Sequence, residues 1–230
     1  MSYKEELINS IEANFVFDKK PINRIENNGT NIDKNIRSKS EELNKLKKLI
    51  NSIQNCNLKK YSKNLILGDG NINSPVMIIG EAPGLEDEKN GKTFQGEVGL
   101  LLNKMLNAIN INKESIYSTY AINYRTPEDR KPTSKEIKKY SIFLKDHISI
   151  IDPKIIILFG GSAMESVTAL SSKISNERGK WKEIILKNKT YPIMITFNPS
   201  YLIRFPENKK YSWEDLKKIK KKILDLNIEI

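Results

Sequence analysis

The sequence predicts a three-layer αβα domain built on a mainly parallel sheet of four strands. Short, uninterrupted apolar runs recur at 76–79 (VMII), 155–159 (IIILF) and 191–197 (YPIMITF). A run of that length, bounded by turn residues, suits a strand buried on both faces. Between these runs the apolar residues change to helical spacing, as in Leu102, Met105, Leu106 and Ile109. Alternation of the two patterns points to parallel strands joined by crossover helices.

Residues 1–38 are expected to be an N-terminal extension, with residues 39–230 forming the domain. A short helix is expected at Tyr3–Ala13. An Asn-, Lys- and Asp-rich tether with few apolar anchors is expected over Lys19–Arg37. From Ser40, with Glu41 and Glu42 behind it, Leu43, Leu46, Leu49 and Ile50 predict a helix to about Ile53. The lysines around it (Lys47, Lys48, Lys59, Lys60, Lys63) read as a solvated face.

The first strand ends at Gly80, and Glu81-Ala82-Pro83-Gly84 turns the chain outward toward Glu86, Asp87 and Glu88. A helix follows from Gly99. The second strand is expected at Ile116–Ile122, running into a loop, Asn123–Pro132, that carries Arg125, Arg130 and Lys131 between two prolines. Thr133 with Glu136 three residues on has the form of a capping box, opening a helix to about Ser149. After Asp152-Pro153 comes the third strand, Ile155–Phe159. Gly160-Gly161-Ser162 then turns into a helix over Ala163–Leu170. A mixed segment with Gly179 and Trp181 precedes the fourth strand, Tyr191–Phe197. The loop Asn198–Arg204 and a lysine-rich helix over about Ser212–Leu226 complete the chain.

In a parallel sheet the loops that follow the strands emerge at one edge. Glu81–Gly84, Asn123–Pro132, Gly160–Ser162 and Asn198–Arg204 are therefore expected to share one cleft, acids deep and Arg125, Arg130 and Arg204 at the rim. That arrangement suits a nucleotide whose phosphates lie outside. Lys+Arg 39 against Asp+Glu 28 gives a net charge of +11, which favours a polyanionic partner. A general bias toward Lys, Asn and Ile would raise the charge as well. No GxxxxGK followed by Ser or Thr is present, nor a GxGxxG after a strand, which argues against ATP or a dinucleotide. No apolar run approaches membrane-spanning length, and MSYKEELINS lacks a signal peptide's hydrophobic segment. A single cysteine, Cys56, excludes an internal disulfide and an all-cysteine metal site, in keeping with a reduced, cytoplasmic compartment. The only histidine, His147, lies within a helical stretch (FLKDHISII) and reads as structural, which speaks against Ser-His-Asp catalysis.

Four motifs stand in a telling order: Gly80–Gly84 (GEAPG), Gly91–Gly96 (GKTFQG), Arg125–Thr133 (RTPEDRKPT) and Asn198–Arg204 (NPSYLIR). They resemble the GEAPG, GxPFxG, RPPGNRTPT and HPxxLLR motifs of family 4 uracil-DNA glycosylases, and the resemblance runs from about Cys56 to Leu216. It implies the uracil-DNA glycosylase fold and hydrolysis of the N-glycosidic bond to uracil flipped out of DNA. Under it, Glu81 or Asp87 positions the water and stabilises the cationic sugar. Asn198 stands where the family's histidine donates to uracil O2. Gly80, Ala82, Phe94 and Tyr120 form the base pocket, with Phe94 the stacking aromatic. Arg125, Arg130, Gly161, Ser162, Ser200 and Arg204 contact DNA, and Leu202 is the wedge that fills the gap left by the base.

The sequence departs from that family at three places. The family commonly holds a [4Fe-4S] cluster on four cysteines, but the matching positions read Ile53, Cys56, Tyr124 and Tyr140. Isoleucine and tyrosine supply no thiolate, so no cluster or other metal is expected, and the two tyrosines are expected to pack in its place. Tyr120 stands where the family's asparagine reads uracil. An amide accepts from N3–H and donates to O4 together, whereas a phenol cannot fully replace that pair. Asn123 is a possible substitute only if the loop changes register. Asn198, by contrast, keeps an N–H donor where the family has histidine. The function expected is a DNA-repair glycosylase acting on uracil or a related deaminated base, with reduced or altered activity and selectivity. A DNA-binding relative with little hydrolysis is the alternative, and a nucleotide hydrolase of similar shape comes third. The partner expected is DNA, with no membrane, and the chain acting as a monomer.

Overall fold

A computed structural model describes residues 26–54, 56–62 and 64–230, with side chains from Ser38 onward. The described elements are α1 (Glu26–Ser52), α2 (Leu58–Tyr61), β1 (Asp69–Gly70), β2 (Val76–Gly80), α3 (Leu85–Asn90) and α4 (Gly96–Asn107). Then come β3 (Tyr117–Tyr120), α5 (Ser134–Ile151), β4 (Ile155–Phe159), α6 (Gly161–Thr168) and α7 (Ile174–Glu177). The series closes with β5 (Trp181–Leu186), β6 (Lys189–Thr196), α8 (Pro199–Arg204) and α9 (Lys209–Asp225). The chain divides into Met1–Asn35 and the larger unit Ile36–Ile230. The helix expected at Tyr3–Ala13, the first part of the expected tether and Lys63 lie outside the described residues. Within the described part, α1 begins at Glu26, well before Ser40.

The strands form one sheet in the order β1-β3-β2-β4-β6-β5. β3, β2, β4 and β6 are parallel, as expected from the alternation of strand and helix patterns. The sheet has six strands rather than four, because antiparallel β1 and β5 close its two edges. β1 is too short to leave a pattern. β5 reads WKEIIL with alternate side chains toward solvent, so it lacks the continuous apolar run of a central strand. Its hairpin to β6 turns on Lys187 and Asn188, both at positive φ (47° and 64°). Such a turn is usually signalled by glycine, and here none is present.

Alternation along the strands loads the two faces differently. Val76, Ile78, Ile155 and Ile157 pack with Leu102 and Leu106 of α4 and Leu216 and Ile219 of α9. Met77, Ile79, Ile156 and Leu158 pack with Leu144 and Ile148 of α5 and Met164 and Val167 of α6. Two short helices, α3 and α8, replace stretches expected to be loops. Each has a local cause: Asp87 reaches back to the N-cap Gly84, and Asn198 caps α8 with Pro199 behind it. Helix α5 opens on the expected Thr133–Glu136 capping box.

His147 is buried in α5 and its Nε2 meets the Tyr117 hydroxyl at 2.9 Å. Burial pushes its pKa from 6.5 down to about 3. The unfolded chain therefore takes this proton near pH 6.5 and the folded chain only near 3, so protons favour unfolding across that window. Stability is full above pH 6.5 and falls on acidification, by at most about 1.4 kcal/mol per pH unit from this group. Glu136, which hydrogen bonding to Arg130 lowers to about 2, adds its own loss only below about pH 4.5. Urea unfolding between pH 7 and 5 is expected to show the first slope, and His147→Gln to flatten it. An unchanged slope in the variant would refute the assignment.

Candidate active site

At the carboxyl edge of the parallel strands, all four expected loops line a single cleft of about 1250 Å³. Its deep end is organised by Glu81, the residue after β2. The N–H of Ser162 donates to Glu81 Oε1 at 3.0 Å, and Asn198 Nδ2 donates to Oε2 at 3.1 Å. Gly160, at φ 102°, makes this possible, since a Cβ there would lie 2.6 Å from the Glu81 carboxyl carbon. The Ser200 N–H donates to Asn198 Oδ1 at 3.0 Å. This fixes the amide's orientation and leaves its Nδ2 a second proton. A carboxylate and an oriented amide donor, from the ends of β2 and β6, thus meet at the cleft.

Phe94 also lines it, so the expected stacking aromatic and Asn198 share one hollow. Residues 67–219 match the uracil DNA glycosylase superfamily. The chain belongs to that family. Its Type-4 uracil-DNA glycosylase relative from Thermotoga maritima is 33% identical over 72% of this chain and 86% of its own. The relative of the same name from Archaeoglobus fulgidus is 30% identical over 78% and 92%. A third, from Sulfurisphaera tokodaii, is 31% identical over 78% and 84%.

The wall around Phe94 is built from the end of β2 and the β3 tyrosine. Gly80 ends β2 without a side chain, and a Cβ there would lie 2.7 Å from both the Phe94 and Tyr120 rings. The two rings close over the strand end with centroids 4.9 Å apart. The Tyr120 hydroxyl donates to Asp87 Oδ2 at 2.8 Å and accepts from the Phe94 N–H at 2.7 Å. Asp87 also accepts from the Gly84 N–H (2.7 Å) and the Gln95 N–H (2.6 Å). Burial raises the Asp87 pKa while these donors pull it down. Burial and the adjacent carboxylate push the Tyr120 phenol well above its usual range. This latch holds Phe94 at φ 49°, a left-handed conformation that is uncommon for a bulky residue. Asn123 does not substitute for the missing asparagine, because its amide donates to the carbonyls of Ile66 and Leu67.

The expected DNA contacts separate into two groups. Gly161, Ser200, Arg130 and Arg204 line the cleft, as does Ala82. Arg130, however, makes a two-pronged pair with Glu136. Arg125 lies off the cleft and pairs with Asp129 at 2.7 Å and Glu88 at 3.5 Å. Arg204 makes no ion pair among the described residues. Nor does Lys131, which the sequence reading left unassigned. Its Nζ lies 3.3 Å from where a Gly161 Cβ would be. Ser162 and Leu202 are placed apart from these. Ser162 is fully buried and its N–H serves Glu81, so it offers DNA nothing directly. Leu202 is 1% exposed and packs in the core, because α8 turns it inward. A loop reading of that stretch carried no helical phase with which to see this.

At the positions of the family's cluster, Cys56 Sγ hydrogen-bonds the Tyr140 hydroxyl at 3.1 Å. The Tyr124 hydroxyl donates to Asn51 Oδ1 at 2.6 Å. The two tyrosine rings pack edge to face, centroids 6.4 Å apart, within an apolar cluster that includes Leu46, Ile50 and Ile137. One thiol among aromatic and aliphatic side chains does not fit a four-thiolate cage. The described residues contain no group of three or more His, Cys, Asp or Glu placed to hold a metal ion, and no helix long and apolar enough to cross a membrane.

Tyr120→Phe deletes the hydroxyl, which leaves the Phe94 N–H without a partner and Asp87 Oδ2 with the Gly84 N–H alone. A loss of about 1–3 kcal/mol in denaturant unfolding is expected. A variant as stable as the parent would show that the latch contributes little.

Proposed function

We propose that this chain is a DNA-repair glycosylase, hydrolysing the N-glycosidic bond of uracil, or of a related deaminated base, extruded from DNA. The observation that carries the reading is the Glu81–Asn198 pair held at one cleft, in a chain of this superfamily. Both Glu81 oxygens accept one hydrogen bond and keep capacity for another. The carboxylate positions the attacking water and offsets the positive charge that develops on the sugar. Asn198 donates its remaining N–H to O2 of the departing base as negative charge builds there. Phe94 and Tyr120 wall the base site, with Gly80 and Ala82 at its strand end. Asp87 acts as a positioning residue, since its oxygens already hold the loop and the Tyr120 hydroxyl. Lys131 and Arg204 hold phosphates, helped by Gly161 and Ser200, while Arg125 and Arg130 brace the loop between β3 and α5.

With the Tyr120 hydroxyl committed to Asp87 and Phe94, the pocket reads a base more by shape than by hydrogen bonds. The same observation favours the second reading, a DNA-binding relative with little hydrolysis. Incubation with a single-uracil oligonucleotide, followed by alkaline cleavage, separates the two. Strand breaks are expected, with Glu81→Gln much slower and Asn198→Ala slower by about 10²–10³-fold. Lys131→Ala and Arg204→Ala are expected to raise KM and leave kcat nearly unchanged. DNA bound without abasic product at large enzyme excess would instead establish the second reading.

The domain, taken as residues 39–230 and active as a monomer, folds in this proposal without a [4Fe-4S] cluster. Support comes from the packed Cys56–Tyr140–Tyr124 region. Iron and acid-labile sulfide in anaerobically purified protein are expected far below one cluster per chain. Stoichiometric iron and sulfide would defeat this part of the proposal.

A further inference from the structure

We infer that Phe205 is the outer end of a stacking platform for a nucleobase that neighbours the extruded one. The inference rests on the glycosylase reading and adds to it a second subsite for the same strand. Phe197, Tyr201 and Phe205 form a column of tilted rings, with successive centroids 5.0 and 4.8 Å apart. The first two line the cleft. Phe205 follows α8 and is 45% exposed.

The column is anchored from behind. The Arg178 guanidinium lies over the Phe197 ring at 5.5 Å, and Arg178 is itself held by the fully buried Asp215, which Thr196 also bonds. Asn208 Nδ2 donates to the Tyr201 hydroxyl at 3.2 Å, holding the middle ring. A rigid, supported stack that ends in a half-exposed phenyl ring presents one apolar face to water. In the adjoining sequence, residues 204–210, the exposed charged side chains are Arg204, Lys209 and Lys210, with one acid, Glu207. Aromatic faces set among cations are the chemistry that takes an unpaired base and the phosphates beside it. The platform also continues directly from the cleft, so a strand with its uridine in the cleft passes over it. Leu202 cannot serve there, being buried.

The test is binding, read by fluorescence anisotropy at low salt with labelled single strands. In each strand the uridine is 2′-fluorinated to block bond cleavage. One strand carries ordinary bases on both sides of the uridine, and another carries abasic residues there. Phe205→Ala is expected to weaken binding of the first about tenfold, and Phe205→Trp to restore it. On the abasic-flanked strand, parent and Phe205→Ala are expected to bind alike. Equal binding by parent and Phe205→Ala on the first strand, or an equal loss on both strands, overturns the proposal. So does a parent dimer in sedimentation that Phe205→Ala converts to monomer, since the ring would then cover a second copy. Failure of the glycosylase reading is separate: it appears as no abasic product from the unmodified uridine strand while the anisotropy pattern stands.

Discussion

Parallel pairing of strands buried on both faces is the constraint from which the rest of this structure follows. Because β2, β3, β4 and β6 run the same way, their carboxyl ends meet at one edge. Three of them pass almost at once into a residue of the site, Gly80 into Glu81, Phe159 into Gly160 and Thr196 into Asn198, and β3 ends on Tyr120. A packed sheet positions such groups far more closely than free loops would. The glycines after β4 have a matching purpose, since only a residue without a Cβ lets the Glu81 carboxylate lie against Gly160.

Two residues expected to differ from the family's pattern, Asn198 and Tyr120, have different physical consequences. Asn198 preserves a donor, and its own capping bond to the Ser200 N–H holds that donor in one orientation. Tyr120 does not preserve the amide it replaces. Its hydroxyl is bound instead to the Asp87 carboxylate and the Phe94 N–H. The phenol is thereby part of the frame that holds the Phe94 loop. A third change follows the same logic, because Cys56, Tyr124 and Tyr140 join helices α1 and α5 by packing and hydrogen bonds.

Much of this was legible in the sequence. Three of the four central strands were readable because burial on both faces demands nearly unbroken apolar runs, and β3 from its place in the alternation of strands and helices. Helix α5 was readable because Thr133 and Glu136 carry its capping box within four residues. The shared cleft followed from parallel topology alone. What escaped was amphipathic, short or relational. β5 hides as a half-exposed edge strand, and its turn on Lys187 and Asn188 has no glycine to mark it.

The sequence by itself determined the layers, the order of the strands along the chain and the four segments that meet at the cleft, since these depend on local periodicity and turn chemistry. Tertiary structure alone decided which charges remain available and which faces turn inward. Arg125 and Arg204 look alike as letters, yet one is held by Asp129 and Glu88 and the other is not. Leu202 and Phe205 stand three residues apart in the sequence, yet one is core and the other surface. The reason is physical: a side chain's partner and exposure depend on elements distant in sequence, and only their packing brings those elements to it.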